Sequence, residues 1–339
     1  MRRMARCATT LVLLLLATGT LLAQEQSRDL EKVSFATSAY LSSAVGYIAQ
    51  ELGFFTDAGL EVEFLRLNSS SAALPSMSQG RIDIAVTGQL GPRHFNLIHR
   101  GGRVRFVAAR TVYAANGCGY AAFVARSDLL DSGRLTDPAS LRGLRITTER
   151  TSSGYYQWSR LLDKAGLSMD DVELNYLPPA ARIDGLAKGL IDVATATEPW
   201  TTRLVQSGHA RLWFPMGYVL PDHPGTFLVY GRRLLDERRD LGRRFLAAYM
   251  RAVRLYVEEG KSQRVVEIVA RHTKFDPQQL REMCWPSWSH DGRIESDTLE
   301  EYQEWALREG LIDAIVPFGE LVDEGFFPKP SSMRTADGR

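Results

Sequence analysis

Two segments of this chain repeat one pattern at a constant spacing, and the repeat constrains the fold more than any other feature of the sequence. "LPSMSQGRIDIAVTG" (74–88) matches "IDGLAKGLIDVATAT" (183–197), with Gly80 over Gly189 at an offset of 109 residues. Each copy reads as an amphipathic helix, a glycine able to form a left-handed C-cap, and a short apolar strand with a leading aspartate. Two copies predict two α/β domains of related design rather than one long sheet.

The segments around the first copy alternate between strand-like and helix-like patterns. "VSFATSAY" reads as a buried strand, "LSSAVGYIAQELGFF" as a helix, and "LEVEFLRL" as a strand that alternates apolar and polar residues. Strands that alternate with helices of this length predict parallel sheets with crossover helices. From Leu234 onward, apolar residues recur at helical spacing, and this part of the chain is predicted to be mostly helical.

Two segments rich in glycine and proline are candidate connectors between the domains. "AANGCGYAAF" (114–123) has two glycines within three residues, and "VLPDHPGTF" (219–227) has two prolines and a glycine. If the chain crosses at both, the second domain is one continuous block, and the returning segment completes the first. The predicted division is lobe 1 at 30–117 plus 226–328, lobe 2 at 118–225, and a disordered tail at 329–339.

Residues 1–23 have the features of a secretory signal peptide. Three arginines precede an apolar run from Cys7 to about Leu22, and the small Ala23 offers a cleavage site. The run is short for a membrane span, so we expect a periplasmic protein with no membrane insertion after cleavage. A retained membrane anchor is the alternative.

The mature chain has a nearly balanced charge and few cysteines. Loss of the signal peptide leaves 38 Lys+Arg against 40 Asp+Glu, which does not favour binding to nucleic acid or to a membrane surface. Cys118 and Cys284 are the cysteines that remain. An exported compartment permits a disulfide between them, but two unpaired, buried thiols are the simpler alternative.

The sequence has no convincing catalytic or metal-binding signature. It lacks a Gly-x-Ser-x-Gly motif and a phosphate-binding loop with Gly-Lys-Ser/Thr, and "GCGYAA" at 117 lacks the third glycine of a dinucleotide fingerprint. The histidines show no i,i+4 pair that would suit zinc. We therefore expect no catalytic residue, no metal and no cofactor.

Candidate binding residues follow from where loops lie in open α/β sheets. Ligands bind beyond the carboxyl ends of the strands, where helix N-termini offer unpaired N–H groups. In "TTERTSSGYYQW" (147–158), two serines begin a helix and could bind an anion beside Tyr155. An ordinary N-cap with buried aromatics is the alternative, and core packing is expected for Trp158. The loops of both domains give the following candidates: Ser38, Tyr40, Thr87, Gly88, Gln89, Ser152, Ser153, Gly154, Tyr155, Glu198 and Trp200.

The ordered set of motifs resembles a known family, the periplasmic substrate-binding proteins of ABC importers, in the branch that binds sulfonates, taurine, nitrate and thiamine precursors. The resemblance rests on "AQELGFFTDAGLEVEF", "MSQGRIDIAVTG", "DPASLRGLRITTERTSSGYYQWSRLLDKAGL", "LAKGLIDVATATEPW" and "FGELVDEGFF". It implies an α/β, two-lobed periplasmic-binding-protein fold of type II, with two parallel or mixed sheets flanked by helices and a ligand cleft between the lobes. It also implies a monomer that closes on a small-molecule ligand by a hinge and presents the closed form to an ABC transporter permease.

The nature of the ligand is less constrained. Aromatic residues near the predicted loops favour an organic ligand with a flat or apolar body over a bare inorganic anion. Arg110 and Arg150 could pair with an acidic head, although either could equally be a solvated charge. Glu198 would suit an amine or a ring N–H if it reaches the cleft. A sulfonate, a carboxylate, a pyrimidine-like compound and a larger lipid-like or aromatic compound all stay open.

Two other functions are compatible with the same fold. A solute-sensing subunit would act on a receptor or kinase in place of a permease, and the sequence does not separate it from a transport protein. A pyrimidine synthase also resembles this family, but it carries a cysteine-rich motif that this chain lacks.

Overall fold

The computed structural model describes residues 29–37, 40–67, 70–87 and 91–327. The expected signal peptide and tail lie outside the described residues, as do three candidate binding residues, Ser38, Gly88 and Gln89. Within the described part, no helix combines the length and the apolar character needed to cross a membrane.

The strands are short. In chain order, β1 to β12 comprise Glu31–Thr37, Leu60–Arg66, Ile84–Thr87, Val104–Ala109, Thr111–Val112, Ala121–Arg126, Arg145–Thr147, Glu173–Leu174, Val193–Thr197, Ala210–Pro215, Phe227–Gly231 and Ser287–Trp288. β3 and β11 are buried along their whole length, as is typical of strands covered on both faces of a sheet.

Helices connect the strands and dominate the chain after β11, as the sequence predicts. In chain order, α1 to α14 comprise Ala44–Glu51, Phe54–Asp57, Leu74–Ser78, Pro92–His99, Ser127–Asp131, Ser153–Asp163, Arg182–Ala187, Trp200–Gln206, Met216–Val219, Arg239–Glu259, Gln263–Thr273, Pro277–Glu282, Ser296–Arg308 and Phe318–Leu321. Short 3₁₀ segments lie at Leu41–Ser43, Ser70–Ala73, Pro138–Leu141, Met169–Asp171, Pro179–Ala181 and Glu324–Phe326, and a π-helical turn lies at Arg233–Glu237.

The described strands form two five-stranded mixed sheets and one small ribbon. The first sheet has the order β2-β1-β3-β11-β4, and the second has the order β10-β6-β9-β7-β8. β1 is parallel to β2 and β3, whereas β11 is antiparallel to β3 and β4. Likewise β7 is parallel to β8 and β9, whereas β6 is antiparallel to β9 and β10. β5 and β12 form the ribbon. The predicted α/β class with two mixed sheets is confirmed.

The two sheets follow one plan. β3 and β9 carry the sequence repeat, and each lies between a parallel neighbour, β1 or β7, and an antiparallel one, β11 or β6. The glycine before each of these strands has a positive φ, 78° at Gly80 and 67° at Gly189, which a residue with a Cβ adopts only under strain. The repeat therefore marks equivalent positions in the two sheets.

The aspartate of each repeat fastens its strand to the parallel neighbour. Asp83 accepts a 2.9 Å hydrogen bond from the backbone N–H of Ser34 in β1, and Asp192 accepts one of the same length from the backbone N–H of Arg145 in β7. Each carboxylate also forms an ion pair, Asp83 with Arg233 at 2.7 Å and Asp192 with Arg145 at 2.8 Å. Because both carboxylates are buried, these partners are what makes the charges tolerable.

Helices pack against each sheet to form its core. In the first lobe, the ring of Phe245 on α10 lies 5.3 Å from that of Phe35 on β1. In the second lobe, Trp158 on α6 is fully buried, and its ring lies 4.8 Å from that of Phe123 on β6. The expectation that Trp158 packs in the core is confirmed.

Cys118 and Cys284 form a disulfide, with their Cα atoms 5.7 Å apart. Cys118 lies between β5 and β6, where the chain passes from the first sheet to the second, and Cys284 lies between α12 and β12. The simpler alternative of two unpaired thiols is therefore wrong. The bond joins the crossover to the helical region that follows β11.

Candidate functional site

A cleft of about 380 Å³ lies between the two sheets, at the ends of their central strands. The first sheet contributes Thr87 at the end of β3 and Thr226 just before β11, and the second contributes Ala121 at the start of β6 and Thr197 at the end of β9. Because β11 and β6 run antiparallel to β3 and β9, their first residues pair with the last residues of those strands. The cleft thus lies at the carboxyl ends of the parallel strands, where open α/β sheets bind ligands.

The N-terminus of α6 contributes one polar wall of the cleft. Ser152, Ser153 and Gly154 line it, and the Ser152 side chain does not cap the helix. Instead its hydroxyl donates a 2.7 Å hydrogen bond to the carbonyl of Glu149 and lies 3.3 Å from the Thr148 hydroxyl. A Cβ at position 154 would lie 2.9 Å from the Thr148 hydroxyl oxygen, so a glycine is what allows this close approach.

Tyrosines supply the flat surfaces of the cleft: Tyr40, Tyr113, Tyr120 and Tyr176. Tyr113 and Tyr120 are buried, and burial raises the pKa of Tyr113 well above its usual value and that of Tyr120 to about 12. Both hydroxyls are therefore neutral at physiological pH and can donate or accept hydrogen bonds. The two rings come from the crossover between the sheets.

Among the described residues that line the cleft, Arg182 carries the positive charge. Its Nε donates to the carbonyl oxygen of Leu177 at 3.0 Å, and its Nη1 donates to that of Thr195 at 2.6 Å. A second arginine lies behind the wall: Arg110 is 1% exposed and donates from Nη1 to the hydroxyl of Thr226 at 3.2 Å and from Nη2 to the carbonyl of Ser42.

The structure brings part of the predicted site together. Among the described candidates, Tyr40, Thr87, Ser152, Ser153 and Gly154 all line the cleft. Ser38, Gly88 and Gln89 stay predictions, since they lie outside the described residues.

Tyr155, Glu198 and Trp200 do not line the cleft, and their surroundings give the reasons. Tyr155 is buried, and its ring lies 6.0 Å from that of Trp305. Trp200 begins α8, and its ring is covered by the guanidinium of Arg203 at 4.9 Å.

Glu198 is buried, and the groups that donate to its carboxylate belong to residues that do not line the cleft. It accepts hydrogen bonds from the hydroxyl and the N–H of Thr202, at 2.7 and 3.1 Å, and from the N–H of Cys284 at 3.2 Å. Burial raises the pKa of this carboxyl. These hydrogen bonds link α8 to the disulfide, and the condition under which Glu198 would suit an amine, that it reaches the cleft, is not met among the residues that line it.

Neither of the two arginines suggested from the sequence, Arg110 and Arg150, lines the cleft. Arg150 is exposed, and its guanidinium donates to the carbonyl of Glu309 at 3.0 Å, outside the cleft. Arg182 was not a candidate from the sequence, because it lies on the helix that precedes a strand and not in a loop that follows one. The repeat did contain a signal for Arg182. The offset of 109 residues places it over Ala73, which is buried, so a charged residue in the second copy stands where the first copy has a small apolar one.

The described residues offer neither a metal-binding cluster nor a histidine or cysteine in the cleft. In that part of the chain, no cluster of three or more His, Cys, Asp or Glu side chains is placed to hold a metal ion. The residues that line the cleft include neither histidine nor cysteine, and both cysteines of the described part are in the disulfide. The described lining therefore offers no histidine base and no thiol nucleophile.

Comparison with known proteins adds a family and a fold. The sequence profile of the NMT1-like family matches residues 27–270 of this chain. A search of curated proteins by sequence finds no significant match.

Several solved structures are similar in three dimensions. The ligand-binding component of an ABC-type import system from Staphylococcus aureus, with zinc bound, aligns with a TM-score of 0.71 and 16% identity, over 87% of this chain and 97% of that one. The alkanesulfonate-binding protein SsuA from Xanthomonas axonopodis pv. citri, bound to MOPS, gives 0.68 and 19%, over 87% and 99%. The periplasmic nitrate-binding protein NrtA from Synechocystis PCC 6803 gives 0.70 and 17%, over 88% and 87%.

An enzyme shares the fold as well. The desulfurization enzyme DSZB aligns with a TM-score of 0.61 and 18% identity, over 87% of this chain and 97% of that one. At these identities the similarity shows the fold alone, and activity depends on the residues of the cleft. The chain therefore belongs to the NMT1-like family, and it has the two-lobed α/β fold of the periplasmic substrate-binding proteins.

Proposed function

We propose that this chain is an exported solute-binding protein, which captures a small organic ligand in its cleft and delivers it to the permease of an ABC importer. The observation that carries the proposal is the cleft itself, because residues from both sheets line one cavity of about 380 Å³. In this account lobe 1 comprises 30–117 plus 226–328, and lobe 2 comprises 118–225. Residues 1–23 direct export to the periplasm, and the protein acts as a monomer.

The position of the cleft supports capture by hinge closure. A ligand that contacts both lobes binds the closed state more tightly than the open one, and it shifts the equilibrium by that difference in affinity. The segments between β5 and β6 and between β10 and β11 carry the chain across and back, so rotation about them would open and close the cleft.

The size of the cleft supports an organic ligand. A cavity of about 10–15 Å³ holds one water molecule, and ligand pockets generally range over about 300–1,000 Å³. The 380 Å³ cleft is far larger than an inorganic anion of a few atoms requires. Its tyrosines also suit a flat organic body better than such an anion.

The residues of the cleft favour binding over catalysis. Nucleophilic catalysis needs a nucleophile beside a base that activates it, most often histidine. The described lining offers hydroxyls, one carboxylate and one guanidinium, with no histidine or cysteine. The lone carboxylate, Glu149, is paired with Arg93 at 3.1 Å.

Two measurements test the proposal. A thermal-shift screen of the mature protein against aryl and alkyl sulfonates, carboxylates, taurine, nitrate and aminopyrimidines is expected to give one class of stabilising ligands; a ligand at 100 times its Kd adds about 2.7 kcal/mol to native stability. Cross-linking of the liganded protein in membranes of its own organism is expected to capture an ABC permease subunit. A receptor or kinase in its place would indicate a sensing subunit, and turnover of a bound compound would indicate an enzyme.

A further inference from the structure

We propose that Arg182 binds the acidic head of the ligand, so that the cleft selects organic anions with one carboxylate or sulfonate and a flat body. The inference rests on the proposed function and names its ligand class. It depends on the bonding of one guanidinium, on the charges around the cleft, and on the tyrosines opposite.

The Arg182 guanidinium is held firmly but incompletely satisfied. Backbone carbonyls accept hydrogen bonds from Nε and Nη1, while Nη2 has no partner among the described residues. The side chain is half-buried and lines the cleft. An arginine fixed in this way presents a donor of known direction, with little side-chain entropy left to lose when a ligand binds.

Arg182 also lacks a counter-ion. No carboxylate of the described residues lies within 4.0 Å of its guanidinium, in contrast to Arg126 and Arg145 of the same lobe, which both pair with Asp192. A partly buried charge without a partner is costly, and an anion bound in the cleft would supply one. Burial lowers the pKa of Arg182, but an arginine stays protonated at physiological pH.

The other charges near the cleft do not cancel this one. The carboxylate of Glu149 is already paired with Arg93. The buried Arg110 donates only to neutral groups, and two of these, the Ser42 carbonyl and the Thr226 hydroxyl, belong to residues of the cleft wall. Among the described residues, the lining of the cleft therefore carries one guanidinium without an acidic partner, and the guanidinium of Arg110 lies behind the wall contributed by the first sheet.

The neutral lining indicates the rest of the ligand. Hydroxyls of Thr148, Ser152 and Thr195 lie near Gly154, with Oγ atoms 2.9, 3.3 and 3.8 Å from where its Cβ would be. The hydroxyls of Thr148 and Thr195 can donate on the same lobe as Arg182, whereas that of Ser152 already donates to the Glu149 carbonyl. The four tyrosines give aromatic surface for a planar body, and the neutral hydroxyls of Tyr113 and Tyr120 add no opposing charge.

Matched pairs of probes test the charge, and matched variants test the residue. Binding of benzoate and benzenesulfonate, each compared with its neutral amide, is measured by calorimetry on the mature wild type, on Arg182→Met and on Arg134→Met. Arg134 is an exposed arginine of the same lobe that does not line the cleft, so its variant removes the same charge from elsewhere. In parallel, small molecules released by denaturing the protein purified from its own organism are identified by mass spectrometry.

We expect the wild type and Arg134→Met to bind an anion at least 10-fold more tightly than its amide, and Arg182→Met to lose about 10- to 100-fold in anion affinity, as for a hydrogen bond to a charged group. An anion preference that survives in Arg182→Met would overturn the role of Arg182. Tighter binding of a neutral amide than of its anion, or a neutral released ligand, would overturn the anion class and leave the solute-binding function intact. No bound probe and no released ligand would overturn both.

Discussion

The disulfide should contribute strongly to stability, because it closes a long loop. Cys118 and Cys284 are separated by 166 residues. The chain-entropy treatment of a cross-link gives about 5 kcal/mol for a loop of this length, and measured values for disulfides are typically about 2–4 kcal/mol. We therefore expect the double substitution of both cysteines by serine to lower the free energy of unfolding by about 2–5 kcal/mol. The loss of the Glu198 contact to the backbone of Cys284 would add to this if the loop moves.

Urea unfolding of the mature protein measures this effect, with and without a reducing agent. The wild type should unfold at a lower urea concentration when reduced, while the double serine variant should unfold at that lower concentration under both conditions. Whole curves are compared, because two lobes need not unfold in one step. The reasoning is refuted if the variant and the oxidised wild type unfold together, or if thiol titration of the unreduced protein finds two free cysteines.

Three further predictions follow from buried polar groups. Asp192→Ala should destabilise the protein by about 3 kcal/mol, since Arg145 loses its ion pair and its backbone N–H loses its acceptor, while Arg126 keeps only its pair with Asp128. Asp313→Ala, which breaks an exposed pair, should cost less than about 1 kcal/mol in the same urea assay. Burial lowers the pKa of His94 to about 4. The contribution of the neutral imidazole to the free energy of unfolding is therefore fully present above pH 6.5 and falls by about 3 kcal/mol as the pH falls towards 4. His94→Gln should remove this part of the pH dependence of unfolding. Glu198→Gln should leave the affinity of the cleft ligand unchanged by calorimetry, because the carboxylate is bonded to Thr202 and Cys284 outside the cleft.

Each of these predictions has a result that contradicts it. Equal losses of unfolding free energy in the two aspartate variants would mean that burial does not determine how much the Asp192 ion pairs stabilise the protein. Parallel pH curves for the wild type and His94→Gln would mean that His94 is not held neutral in the folded protein. A tenfold loss of ligand affinity in Glu198→Gln would indicate that this carboxylate contributes to ligand binding.

The sequence predicted most of the architecture because the architecture repeats. The 109-residue offset placed Gly80 over Gly189, and the structure gives both the same backbone conformation before equivalent strands. The serines at 152 and 153 were found because a strand, a loop and a helix start are local signals, and the structure places both in the cleft.

The rest of the site depends on contacts between distant residues, which local patterns do not report. The partner of Cys118 lies 166 residues away, and the backbone N–H of that partner, Cys284, donates to the Glu198 carboxylate. Arg182 reaches the cleft because carbonyls of Leu177 and Thr195 hold its guanidinium there, and neither carbonyl is identifiable from side-chain chemistry.

Hydrogen exchange tests most directly whether one ligand engages both lobes. The organic anion that gives the largest thermal shift is added at about 100 times its Kd, and amide exchange is followed in β3 of the first lobe and in α6 of the second. We expect slower exchange in both segments at once, with no change in the distant α11. Protection confined to a single lobe, or none in either, would contradict capture of the ligand between the lobes.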